Sequence, residues 1–327
     1  MSVRLLEAES VRLTIAGDLS GDGGDGDAPE ITHLFEDRER LAINAALAAM
    51  RPLLVRGEPG IGKSQLARAA AAALGRRYVS KVVDARTESQ DLLFTLDAVR
   101  RLADAQLIGH GGELGDGETV AERLSESNYI TPGPLWWGFQ WEDAYRHAGR
   151  AKSRPEGTPT EAPGGVVVLL DEIDKADSSV PNGLLECLGQ RQFAGPQGKT
   201  VRFGRVPPLV VVTTNEERSL PDAFLRRCLV LHMKLPKADS ELLAWLMRRG
   251  RAHFGPDVMD DAVLVEAGEM LIEDRKAAKR RQLSQPGGAE YLDLLRALSN
   301  LADTGDAQKE LLVQLRDFTL RKHPEGP

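Results

Sequence analysis

The sequence predicts an α/β fold: a five-stranded parallel sheet with helices on both faces, three layers in all, followed by a smaller all-helical region. Three observations carry this. Five short runs, residues 51–57, 77–85, 166–172, 208–215 and 228–235, are apolar with little alternation, the pattern of strands buried on both faces. Helix-forming segments separate them, as crossover connections between parallel strands require. After Pro236 the strand signal stops and residues 237–327 carry only helical spacing. The chain has 327 residues, enough for about two domains.

Residues 1–33 read as an N-terminal arm, weakly alternating and able to add an edge strand, ending in a Gly/Asp-rich stretch over 18–30. That stretch has neither EF-hand spacing nor a nine-residue repeat, so it reads as a solvated linker rather than a calcium loop. Helical spacing begins at Leu34 and continues through Leu41, Ala45 and Leu47 to Met50. The alanine-rich segment 65–74 is a strong helix former closed by Gly75, which suits a left-handed cap. Residues 89–105 place Leu92, Leu93, Leu96, Val99 and Leu102 at amphipathic-helix spacing. Residues 106–165 interrupt the rhythm and read as an insertion. The core is therefore expected over 34–236, and the helical region over 237–327 holds helices at 240–249, 257–274, 291–301 and 307–321.

Lys and Arg number 42 against 49 Asp and Glu, a formal charge of −7. That balance argues against a protein built mainly to grip a phosphate backbone, whose affinity comes from Lys and Arg. No run approaches the roughly 18 apolar residues of a membrane span. The N-terminus lacks the apolar core of a secretory signal. Two cysteines, Cys187 and Cys228, make no disulfide framework and no four-ligand zinc site. These features predict a soluble, cytoplasmic protein.

The strongest local signal is GEPGIGKS, residues 57–64, which matches G-x4-G-K-[ST] between a predicted strand and a predicted helix. Gly57, Glu58, Pro59, Gly60, Ile61, Gly62, Lys63, Ser64 and Gln65 would wrap a triphosphate. The glycines let backbone N–H groups close on phosphate oxygens, and the helix N-terminus adds partial positive charge. Lys63 would meet the β- and γ-phosphates, and the Ser64 hydroxyl would complete a Mg²⁺ shell. A second signal is the apolar strand ending in Asp171 and Glu172. Asp171 is placed to hold Mg²⁺, directly or through water, and Glu172 to polarise an attacking water. Asp174 and Asp177 read as helix-start residues. A third is Asn215 at the end of the strand over 208–215, an amide able to contact the γ-phosphate or fix the water; Thr213 and Thr214 could do similar work. A fourth is the arginine pair Arg226 and Arg227, either of which could spread transition-state charge, while one reads as a structural ion pair.

With these four signals in order, the chain resembles the AAA+ ATPase superfamily and, within it, the MoxR-like, dynein-related group, over about residues 34–300. The carriers are GEPGIGKS, LLDEIDKAD, VVVTTNEERSLPDAFLRRC and TPGPLWW, the last resembling that group's inserted loop. The resemblance implies a P-loop NTPase core and a hexameric ring or open spiral with ATP between neighbours. Arg227, or failing it Arg226, would then act on the neighbour's nucleotide, and 237–327 would form a helical lid. It further implies a chaperone that remodels or activates a protein client, often one with a von Willebrand A domain. This chain has no such domain, so the client would be separate. Two departures stand out. Lys63 and Asp171 lie 108 residues apart, an excess located in 106–165. Beside Pro286, where the family tends to carry a sensor arginine or lysine, stands Gln285, with Arg280 and Arg281 as nearby substitutes.

Trp136, Trp137 and Trp141, with Phe139 and Tyr129, form an aromatic cluster that reads first as packing of the insertion onto the core. A client-gripping or partner-binding patch is the alternative. Two other functions share the same core: a nucleic-acid motor, disfavoured because no nucleic-acid module is evident and 276–282 reads as a solvated basic face, and a non-hydrolysing ATP-dependent scaffold in a defence system, against which Glu172 speaks.

Overall fold

A computed structural model describes residues 5–14, 30–110 and 119–320. The chain opens on an antiparallel pair, β1 (Ser10–Thr14) and β2 (Glu30–Leu34), with Ser10 opposite Leu34. Then come α1 (Asp37–Ala49), β3 (Leu53–Arg56), α2 (Lys63–Leu74) and β4 (Arg77–Val82). Next come β5 (Phe94–Leu96), α3 (Ala98–Gly109), α4 (Val120–Arg123), β6 (Ile130–Pro132), α5 (Pro134–Phe139) and α6 (Trp141–Arg150), with β5 pairing β6. The chain returns through β7 (Val166–Asp171), α7 (Ser179–Gln190), the hairpin β8 (Gln192–Ala194) and β9 (Thr200–Arg202), β10 (Leu209–Thr214), α8 (Asp222–Leu225) and β11 (Leu229–His232). It continues through α9 (Asp239–Phe254), α10 (Asp261–Arg280), α11 (Gly288–Leu301) and α12 (Gly305–Thr319).

Five strands form one parallel sheet in the order β11-β3-β10-β7-β4. Side chains alternate between its faces, and both faces are apolar. Leu53, Val55, Val167, Leu169, Leu209 and Val211 join the core shared with α1 and α2. Leu54, Val166, Val168, Leu170, Val210 and Val212 join the opposite core with residues of α5, α6 and α7. Two apolar faces explain why these strands lack polar alternation. Helices α9–α12 share a third core around Leu246, Val263, Leu264, Leu271, Tyr291, Leu295 and Leu312. Among the described residues no helix is long and apolar enough to cross a membrane.

Two expectations need correction, and two others can be placed. Leu34 does not begin a helix but closes β2, because pairing with β1 claims it. Helix α1 starts at Asp37, where the Glu39 carboxylate accepts from the Glu36 backbone N–H at 3.0 Å. This phase buries Ile43, Ala46 and Leu47 and leaves Leu41 70% exposed. The stretch 89–105 is not one helix: a 3-10 turn at Ser89–Leu92 leads into β5 and then α3. Pairing of β5 with β6, about 35 residues away, overrides the local spacing. The Gly/Asp-rich linker lies outside the described residues except for Glu30. The aromatic cluster packs inside the molecule: Trp136, Trp137, Phe139, Trp141 and Tyr129 are all buried in or beside the core on the β7 face. Their polar ends have partners, the Trp136 indole donating to Asp143 (3.1 Å) and that of Trp141 to the Pro159 carbonyl (2.9 Å).

Candidate nucleotide-binding site

Because all five strands run the same way, their carboxyl ends gather at one edge, where ligands of open α/β sheets bind. A cleft of about 300 Å³ opens there. It is lined by residues 59–65, Asp171, Glu172, Thr213 and Asn215 from the sheet side, and by β2, α9 and α11 from the other.

The turn joining β3 to α2 has the shape a phosphate cradle needs. Gly62, the residue before α2, holds φ 101°, a left-handed backbone natural to glycine. At Gly57 a Cβ would meet the Met233 carbonyl at 2.6 Å, so a side chain there would push β3's exit off its neighbour. Lys63 begins α2 and is buried; its ammonium donates to the carbonyls of Gly57 (2.8 Å) and Glu58 (3.0 Å) and to Asn215 Oδ1 (2.7 Å). Burial lowers its pKa, opposed by the nearby carboxylates of Asp171, Asp174, Glu172 and Glu216.

Opposite the cradle, the Ser64 hydroxyl lies 2.9 and 2.8 Å from the two Asp171 oxygens. A hydroxyl and a carboxylate converging from two elements form the all-oxygen donor set that a hard cation such as Mg²⁺ prefers. Glu172 takes a left-handed backbone, φ 58° and ψ 46°, unusual for a residue with a side chain. Its carboxylate accepts from Asn215 Nδ2 at 3.1 Å. Asn215 thus bridges Lys63 and Glu172.

The structure brings together Lys63, Ser64, Asp171, Glu172 and Asn215 from three separate stretches of sequence. Of the remaining cradle residues, Pro59, Gly60, Ile61, Gly62 and Gln65 line the cleft, whereas Gly57 and Glu58 stand behind it. The Glu58 carboxylate turns away to pair with Arg275 of α10 (3.0 Å). Arg226 and Arg227 are exposed after α8 and do not line the cleft of their own chain. Arg51 holds them from behind, donating to the carbonyls of both residues.

Arg280 and Arg281 are exposed at the end of α10, away from the cleft. The arginine that lines it is Arg249 of α9, stacked 3.5 Å over the Trp245 ring and paired with Glu36 (3.2 Å). His253, one turn on, also lines the cleft; burial, with Arg296 and Arg249 nearby, pushes its imidazole down to about 4. From α11 come Gly288, Ala289 and Leu292, and the Ala289 amide donates to the Gly60 carbonyl at 3.0 Å. The sequence reading missed this wall. Trp245, Arg249 and His253 follow one another at four-residue spacing on one helix face, a signal visible in the sequence but indistinguishable there from ordinary amphipathicity.

No curated protein matches the chain in sequence. Among solved structures, a protein of Cytophaga hutchinsonii named as a candidate ATPase is 15% identical, with a TM-score of 0.38, over 84% of this chain and 78% of that one. A point mutant of RuvB from Thermotoga maritima is 14% identical, with a TM-score of 0.40, over 88% and 77% respectively. The family model for the AAA domain of the dynein-related subfamily matches residues 52–228, from β3 to the end of the arginine pair. That match takes in the cradle, the acidic strand end and Asn215 and spans more than half of the chain, which belongs to the dynein-related AAA family.

Proposed function

We propose that this chain binds and hydrolyses Mg·ATP in the cleft, and that it works as an oligomeric ring, hexameric in the simplest case, to remodel or activate a separate protein client. The observation that carries this is the convergence of Lys63, Ser64, Asp171, Glu172 and Asn215 at one sheet edge. In this reading residues 34–236 are the ATPase core and 237–327 the lid.

Backbone amides of residues 59–64 and the Lys63 ammonium hold the phosphates. Ser64 and Asp171 would hold Mg²⁺, which when bound neutralises phosphate charge. Glu172 accepts the proton of the attacking water, and Asn215, within reach of Glu172, orients that water or meets the γ-phosphate. Exposure of Arg226 and Arg227 outside their own cleft supports a role on a neighbour's nucleotide, Arg227 first. A MoxR-like chaperone role rests on resemblance; a von Willebrand A-domain client is its corollary. Stimulation of turnover by DNA would favour the nucleic-acid motor instead.

Glu172→Gln provides the test. It should bind Mg·ATP in calorimetry about as well as the wild type while phosphate release falls about 10²–10⁴-fold, the usual contribution of a positioned general base. Wild-type turnover in that variant would remove Glu172 from the reaction. No uptake of Mg·ATP by the wild type at millimolar nucleotide would remove the whole reading.

A further inference from the structure

The Glu172 carboxylate and the Asn215 amide meet at 3.1 Å between two strand ends that further side chains tie together. Thr213, fully buried near the end of β10, makes two hydrogen bonds across to β7: its hydroxyl donates to Asp171 Oδ1 and accepts from the Glu172 N–H at 2.9 Å. That second bond holds the peptide of Glu172, whose left-handed backbone a side chain disfavours. Such a conformation persists where its surroundings hold it.

The reverse tether comes from Asp174, in the turn leaving β7 and only 2% exposed. Its two oxygens accept from the backbone N–H groups of Asn215 (3.4 Å) and Glu217 (2.9 Å). A side chain of β10 therefore fixes the backbone beyond β7, and a side chain beyond β7 fixes the backbone beyond β10. A buried carboxylate is costly unless hydrogen-bonded; Asp174 sits in the first turn of a short 3-10 helix (Ile173–Lys175), yet the bonds its oxygens accept come from the turn after β10.

We propose that Thr213 and Asp174 are positioning residues that lace the two strand ends together and hold Glu172 and Asn215 at working distance. This rests on the reading of Glu172 and Asn215 given above. Thr213→Val keeps the shape and β-preference of the side chain and removes only the hydroxyl. It should lower kcat about 10- to 100-fold, the usual cost of losing a partner that orients a reacting group. The calorimetric affinity for ATP without Mg²⁺ should change little, and with saturating Mg²⁺ the loss should stay in kcat, since Thr213 also holds Asp171. Thr213→Ser, which keeps the hydroxyl, should recover most of the loss. Asp174→Asn, which replaces one acceptor with a donor, should shift kcat in the same direction with affinity retained. In a Glu172→Gln background, Thr213→Val should lower the residual rate no further.

A merely structural threonine predicts otherwise: a lower melting temperature, with kcat per folded molecule unchanged. An unchanged kcat in Thr213→Val with Mg·ATP binding intact, or a Thr213→Ser variant no better than Thr213→Val, would overturn the proposal while leaving the reading of Glu172 standing. A Glu172→Gln variant as fast as wild type would overturn both, and it is told apart because it fails in the parent test.

Discussion

Helices α2 and α3 are both twelve residues long and both amphipathic, yet α2 buries seven residues and α3 buries none. The first lies on the sheet and presses Leu66, Ala67, Ala70 and Leu74 against β-strand side chains of the same character. The second is turned the other way. Val99, Leu102 and Leu107 face outward at 81%, 61% and 65% exposure, while its charged residues point in. Arg100 donates to the carbonyls of Ala151 and Asn128, Arg101 donates to that of Leu124 (3.0 Å), and Asp104 accepts from the Tyr129 hydroxyl (2.8 Å). Periodicity shows that a helix has an apolar face; what the helix meets decides which face is covered. A sheet offers apolar side chains, whereas the loops under α3 offer carbonyls that need donors.

Substitutions can break or sharpen this contrast. The largest effect is expected in the α2 core: Leu66→Ala, at a fully buried position, should cost about 2–5 kcal/mol in urea unfolding. A loss below about 1 kcal/mol would mean that α2 is not seated on the sheet as described. At the head of the same helix, Lys63→Ala should weaken Mg·ATP binding about 10- to 100-fold in calorimetry, as befits a charge-assisted contact of about 1.5–3 kcal/mol. Arg100→Ala should destabilise by about 1–3 kcal/mol, because it strips two carbonyls of a donor. On the opposite face of α3, Leu102→Ser should move stability by no more than about 0.5 kcal/mol. If Leu102→Ser proved as costly as Leu66→Ala, the outward orientation of α3 would be wrong.

How much was legible follows the range of the forces involved. The cradle could be read directly because its function is local: one turn, one helix start, and glycines whose backbone geometry depends on immediate neighbours. The acidic strand end and Asn215 were legible because each closes an apolar run. Arg51 could not be found this way, since its role depends on carbonyls about 175 residues away. Asp174 read as a helix-start residue, for nothing along the chain marks it as a buried acceptor for the turn after β10. Thr213 carried a partial signal, since it shares a strand face with Asn215 two residues on.

The amino-acid sequence by itself determined that five buried strands alternate with helices, that an all-helical stretch follows, and that a phosphate-binding turn precedes an acidic strand end. These are properties of runs of roughly ten residues, in which patterning and backbone preference dominate. Only the tertiary structure decided the strand order that sets β10 between β3 and β7, and with it the meeting of Lys63, Asn215 and Glu172. It also decided that the tryptophans turn inward while the apolar stripe of α3 turns outward. Those outcomes depend on which surfaces find complementary partners once the chain has collapsed, and such partners are chosen across the fold, at separations where neighbouring residues have no influence.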